Sequence, residues 1–179
     1  MSESLAQATK RVDISGVADF MKQICRAHPI ELMTFVCIGT DRSTGDSLGP
    51  LVGTKLEERG FERIIGTLRE PCDADRLPQL ADLLASEAAE GRTLVAIDAC
   101  LGRPESVGAY LVSSGPLAPA QSVGRTFPPI GAYSIAAIVN VNGPKPYWTL
   151  QTTSLYQVIG MAQDIADVLT ALKNNSNPT

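Results

Sequence analysis

Residues 33–50 read MTFVCIGTDRSTGDSLGP, and the fold turns on how they are interpreted. Met33 to Ile38 is a short, nearly continuous apolar run with β-branched members. Strands buried on both faces of a parallel sheet have this composition, because neither face alternates toward water. Gly39 to Gly49 is dense in Gly, Asp, Ser and Thr. Leu48 to Arg59 then reads as a helix, with Pro50 tolerated in its first turn and Gly60 as its stop. Strand, tight loop and helix in that order predict an α/β unit. The loop itself has three readings at this point: a phosphate cradle, a carboxylate site, or a well-capped turn.

The alternation continues outward. Val17 to Arg26 places Val17, Phe20, Met21, Ile24 and Cys25 at helical spacing, and Pro29 ends that helix. Arg63 to Leu68 is a candidate strand, and Asp75 to Ala89 is an amphipathic helix closed by Gly91. Thr93 to Ile97 is a second apolar strand that runs into Asp98-Ala99-Cys100, and Val107 to Val112 is a third. Gly115 to Gly131 has no periodicity and reads as loop. Ser134 to Val141 fits helix or strand, and Tyr147 to Gln151 reads as strand. Ser154 to Leu172 is a long amphipathic helix capped by Thr153 or Ser154. The pattern predicts one α/β domain over residues 1–179, with 1–14 and 173–179 as frayed tails. Its sheet is mainly parallel, with helices on both faces.

Composition narrows the function. With 179 residues the chain can build a core without staples. A net charge of −4 with no basic run argues against a nucleic-acid surface, and no apolar stretch reaches the ~20 residues of a membrane span. The N-terminus lacks a secretory pattern, so a cytoplasmic protein is expected. Cys25, Cys37, Cys72 and Cys100 show no CxxC spacing and are expected to be free thiols. The single His28 excludes a histidine-rich metal site.

In doubly wound sheets, ligands bind outside the carboxyl ends of the strands. Asp98 directly follows one apolar run, and Asp46 opens the helix after another. Paired carboxylates suit two chemistries. Held close, one keeps a proton at a raised pKa, so the pair can act as base and acid. Alternatively they share a divalent cation, which would fall on Asp46 and Asp98 here. Each also has an ordinary reading, Asp46 as a helix cap and Asp98 as a turn cap. The phosphate reading fails on detail. GxxxxGK[ST] and GxGxxG are both absent, and Asp46-Ser47 stands where Lys-Ser/Thr is needed. A thiol nucleophile at Cys72 or Cys100 would need an activating base, and His28 is the only imidazole. Arg42, Arg103 and Arg125 lie in loops that could ring the same cleft.

The segments CIGTDRSTGDSLGP, LVAIDAC, PPIGAYSIAAIVNV and LQTTSLYQVIGMAQDIA, in this order, resemble the YyaC-like sporulation proteins. Those look related to the germination protease of spore-formers and, more distantly, to the hydrogenase-maturation endopeptidases. The resemblance spans about Met33 to Val168. It implies a three-layer α/β/α sandwich of the phosphorylase/hydrolase-like kind. It implies a sporulation-associated peptidase in which Asp46 and Asp98 carry catalysis. Its substrate would be a protein or peptide, spore proteins among the candidates, and its place the cytoplasm of the mother cell or forespore. Asp41, Arg42, Ser43, Thr44 and Gly45 would shape the site, with Thr152 and Thr153 lining the same cleft from the last strand. The maturation endopeptidases recognise nickel with a third ligand, a His placed after the second motif. Here the only His precedes the first motif. No cofactor is required by the sequence, though a divalent metal is compatible with it. The rival readings are a non-catalytic binding module and a metal-dependent hydrolase. A homo-oligomer is compatible with an apolar face on the last helix.

Overall fold

The computed structural model describes residues 9–119 and 125–176. Among these described residues, six strands form one sheet in the order β1-β5-β6-β4-β2-β3. They are β1 (Lys10–Val12), β2 (Met33–Cys37), β3 (Ile64–Ile65), β4 (Thr93–Gly102), β5 (Tyr110–Ser113) and β6 (Tyr133–Val141). β6, β4, β2 and β3 run parallel, while β5 joins β6 antiparallel and β1 joins β5 antiparallel. The helices are α1 (Ile14–Ala27), α2 (Leu48–Glu58), α3 (Leu77–Ala89), α4 (Pro146–Gln151) and α5 (Leu155–Ser176).

Each central strand is buried on both sides, as its unbroken apolar run predicts. Met33 and Phe35 of β2, with Val95 and Ile97 of β4, point into a core closed by Met21, Val52, Leu56, Ile165 and Leu169. Those residues come from α1, α2 and α5, which cover this face. The alternate residues Val36, Ile38 and Ala96 point the other way, against Leu77, Leu80 and Leu84 of α3 and against Ile130. The result is three layers. The farther part of this second face, over β6 and β5, borders a cavity instead of a helix.

One polar network is set into the second face. Thr34 of β2 donates to Glu87 of α3 at 2.6 Å, and Arg63 donates to the other Glu87 oxygen at 3.1 Å. Thr34 and Glu87 are both buried. Thr34→Val keeps the shape and removes the donor, leaving a buried carboxylate oxygen short of a partner. The expected loss is about 1–3 kcal/mol, read as a lower urea midpoint at unchanged slope.

Several elements differ from the sequence expectation. Tyr147–Gln151 is helical, not a strand, because Lys145-Pro146 starts a helix with Pro preset in the first turn. Its aromatic composition resembles a strand, but Leu150 is its only buried residue. Residues 10–14 are not frayed: β1 pairs with β5, and Asp13 caps α1 by accepting from the Gly16 N–H at 2.9 Å. At the other end α5 continues through Ser176, past the expected stop at Leu172. Residues 1–8 and 177–179 lie outside the described residues. Ser134–Val141 resolves as strand, since Ile135, Ala137 and Val139 alternate into the first core. Leu117 and Ile130 pair across the expected 115–131 loop, of which residues 120–124 lie outside the described residues.

Candidate active site

β2 and β4 pair from Met33↔Thr93 to Cys37↔Ile97, and there β2 leaves the sheet. β4 does not. It continues against β6 as far as Gly102↔Val141. Asp98 is therefore the first residue of β4 beyond the β2 ladder. It lies within the strand rather than at its end, as the sequence had implied, because β6 goes on pairing past the point where β2 stops. The chain leaving β2 crosses to β3 on one side, while β4 lies on the other. Asp98 thus stands at a topological switch point, where this class of sheet opens a crevice.

The loop out of β2 is folded back over that opening. Gly39 has φ +144°, and a Cβ there would lie 2.0 Å from the Asp46 carbonyl oxygen. The Thr40 N–H donates to that same carbonyl at 3.1 Å. Gly49, in the first turn of α2, would place a Cβ 2.0 Å from the Ile38 carbonyl oxygen. Two glycines therefore let the helix start sit directly on the strand end. Asp46 falls in a short 3-10 turn, Gly45–Ser47, and its carboxylate accepts from the Ser43 hydroxyl at 2.6 Å. It is not a helix cap. Ser47 occupies that position and donates its hydroxyl to the Thr44 carbonyl at 2.6 Å.

Asp46 and Asp98 line one cavity of about 810 Å³. Burial pushes the Asp98 carboxyl well above its ordinary 3.8, and the Asp46 charge raises it further. The Ala99 N–H, donating at 2.7 Å, opposes that shift only in part. Burial raises Asp46 as well, and the Ser43 hydroxyl counters by favouring the ionised form. Two carboxylates in one cavity with unequal environments are the arrangement from which an acid and a base arise. The thiols beside them are quiescent. Burial, followed by the charge of Asp98, pushes both Cys72 and Cys100 up to about 12. His28 packs edge-on against Tyr133 at 5.8 Å and does not line this cavity.

Residues 7–168 match the model of a family described as a protein of unknown function, DUF1256. The chain belongs to that family. It is 43% identical over 136 residues to the uncharacterized protein YyaC of Bacillus subtilis, an alignment covering 75% of this chain and 66% of YyaC. The chain thus spans just under two thirds of that relative's length. Among solved structures it is similar to the [NiFe] hydrogenase maturation protease HycI of Thermococcus kodakarensis KOD1. That likeness has a TM-score of 0.52 and 14% identity, over 80% of this chain and 92% of that one. At that identity the likeness concerns the fold, which is of the phosphorylase/hydrolase-like kind.

In this DUF1256 chain, four of the residues expected at the site do line the cavity: Arg42, Ser43, Asp46 and Asp98. Asp41 is exposed on the loop and does not line it. Thr44 and Gly45 turn away, Gly45 so closely against α4 that a Cβ would meet Leu150 Cδ2 at 2.7 Å. Thr152 and Thr153 do not line the cleft either, because the segment before them is a helix. The Thr152 hydroxyl donates back to the Trp148 carbonyl at 2.9 Å. Thr153 is buried, donates to the Thr149 carbonyl at 2.7 Å and accepts from Asn140 at 3.2 Å. Arg125 reaches the rim and Arg103 does not.

The sequence reading missed Asp73 and Asp75. Arg42 pairs with Asp73 at 3.2 Å, and Arg125 pairs with Asp75 at 2.8 Å, so ion pairs join three loops at the cavity's edge. Cys72-Asp73 carries no motif. Its only cue is that it follows a short strand in a parallel sheet.

The donor set differs from the one that the resemblance to the maturation endopeptidases implies for a metal. Among the described residues, no three His, Cys, Asp or Glu side chains gather. A two-carboxylate pair without imidazole does not fit a nickel site. It is the set a hard cation uses when it keeps most of its water.

Ser43→Ala isolates the hydroxyl's effect on Asp46. Losing a donor to the ionised form raises the Asp46 pKa further. The acidic limb of any Asp46-dependent activity is expected to move to higher pH, with the alkaline limb in place. A pH profile of kcat/KM reads both limbs.

Proposed function

We propose that this protein is a peptidase in which Asp46 is the base and Asp98 the acid. One observation carries the reading: two half-buried aspartates, one on the loop leaving β2 and one within the neighbouring strand β4, share one cavity, and their surroundings push them apart in proton affinity. Asp98 has the more strongly raised pKa and holds the proton. Asp46, stabilised as an anion by Ser43, takes a proton from water. The resulting hydroxide adds to the peptide carbonyl carbon, whose π electrons move to oxygen. Collapse of the tetrahedral adduct breaks the C–N bond as Asp98 gives its proton to the leaving nitrogen. The products are a carboxylic acid and an amine. Proton transfer through Asp46 and the product acid restores the pair, which titrates as a unit.

The likeness of the fold to that of HycI, a maturation protease, supports the class. Four unpaired thiols support a reducing compartment, which we take to be the cytoplasm of a spore-forming cell. No helix among the described residues is long and apolar enough to cross a membrane.

The test incubates purified protein with spore proteins and with mixed peptide libraries, with and without Mg²⁺, beside Asp46→Asn and Asp98→Asn. Mass spectrometry reads new termini. Cleavage lost in both variants supports the dyad, and cleavage unchanged in both overturns it. Cleavage that appears only with Mg²⁺ moves the pair to a metal-assisted role. Binding without cleavage under every condition replaces the peptidase by a binding module.

A further inference from the structure

The cavity does not stop at the two aspartates. Asp98 of β4 is in register with Ala136 of β6, and Ala136 is in register with Leu111 of β5. Residues directly opposite in a ladder share a face, so these three form one cross-strand row on the second face. Their neighbours in sequence confirm the direction: Ile97, Ala137, Tyr110 and Val112 all point into the first core. Asp98, Ala136 and Leu111 all line the same cavity, as does Leu117 of the loop after β5.

The row has a graded profile. Asp98 brings the chemistry, and Ala136 leaves a low floor beside it. Leu111 makes an aliphatic end wall. Adjacent strands lie about 4.8 Å apart, so Leu111 stands about 10 Å from Asp98. An extended chain advances about 3.3 Å per residue, so that span holds about three residues. The floor carries no charge between the dyad and this wall, and the charged side chains, Arg42, Asp73, Asp75 and Arg125, stand at the cavity's edge.

We infer that the trough from Asp98 across Ala136 to Leu111 is a specificity subsite for an extended polypeptide carrying an aliphatic side chain about three residues from the scissile bond. The polypeptide class rests on the hydrolytic reading above. The position of the aliphatic pocket rests on register and lining alone. A shallow, small-residue floor accepts a backbone laid across the strands, and the Leu111 end wall rewards one apolar side chain with desolvation.

The test separates binding from cleavage. Asp98→Asn, which keeps an acceptor for the Ala99 N–H, is titrated with fluorescently labelled peptides that carry Leu, Lys or Asp at each position in turn, and anisotropy gives Kd. One position is expected to prefer Leu by about 10- to 100-fold, the effect of burying one such side chain. In the Leu111→Asp background that preference turns to Lys, and in Leu111→Lys it turns to Asp. A reciprocal exchange of this kind cannot come from misfolding. If neither substitution changes the preferred residue, the subsite is overturned. If free leucine displaces the peptide as well as unlabelled peptide does, the polypeptide class is overturned. If the exchange is seen while wild-type protein cleaves nothing, the subsite stands and the hydrolytic reading falls.

Discussion

Asp98→Asn is expected to yield a protein that melts at a higher temperature than the wild type and lacks the proposed hydrolytic activity. The activity loss follows from the acid role proposed for Asp98. A positioned general acid contributes about 10²–10⁴ in rate, and asparagine has no proton of suitable acidity to give. The gain in stability follows from the same burial. Asp98 has a folded-state pKa well above its ordinary 3.8, because its anion is desolvated and stands near the Asp46 charge. A raised folded pKa means that stability is full below the ordinary carboxylate range and is lost as pH rises through the folded value. Asparagine has no such loss. It keeps the side-chain oxygen that accepts from the Ala99 N–H. The two proteins should therefore melt alike in acid and diverge as pH rises, until the divergence levels off above the folded pKa. In a chain of this size each kcal/mol is worth about 2–4 °C, so melting curves at a series of pH values resolve the effect. A variant no more stable than the wild type at neutral pH would contradict a buried, proton-holding Asp98.

Gly39→Ala is expected to damage the fold and the site together. The backbone at φ +144° is one that L side chains rarely adopt, and the added carbon would lie 2.0 Å from the Asp46 carbonyl. That carbonyl is held by the Thr40 N–H, so relief of the clash moves the turn carrying Asp46. Strain of this kind costs about 1–3 kcal/mol before the clash is counted. A total of about 3 kcal/mol or more, read from the urea midpoint, is the expected outcome. Under the proposed mechanism the surviving folded fraction should hydrolyse slowly, because the Asp46 carboxylate is displaced from its place in the cavity. Gly143→Ala is the matched control, since nothing lies within 4 Å of a Cβ there. Equal midpoints for the two variants would show that the loop is not held against Asp46 as described.

These two positions also show how legible the site was. Asp46 and Asp98 stood out because Asp98 directly follows one apolar run read as a buried strand and Asp46 opens the helix after another, and parallel sheets place chemistry at such points. Gly39 was legible as the first residue of a glycine-dense loop. Its contact with the Asp46 carbonyl could not be read, because it depends on the loop returning over its own start. Thr152 and Thr153 were misplaced for a local reason. YWTLQ has strand composition, yet Pro146 and a packed Leu150 make it a helical turn, and the threonines then serve that turn. Asp73 and Asp75 went unread because their meaning lies in Arg42 and Arg125, which are distant in sequence.

Local order therefore belongs to the sequence. Runs of apolar residues bounded by glycine and proline specify which segments are strands or helices and which carboxylates stand at their ends, since burial and backbone freedom act within a few residues. Tertiary structure alone decided that β4 outruns β2 and leaves Asp98 beside an opening. It also decided that the Ser43 hydroxyl serves Asp46, and that Ala136 and Leu111 continue the row begun at Asp98. Register and proton affinity come from neighbours far along the chain, so no local pattern carries them.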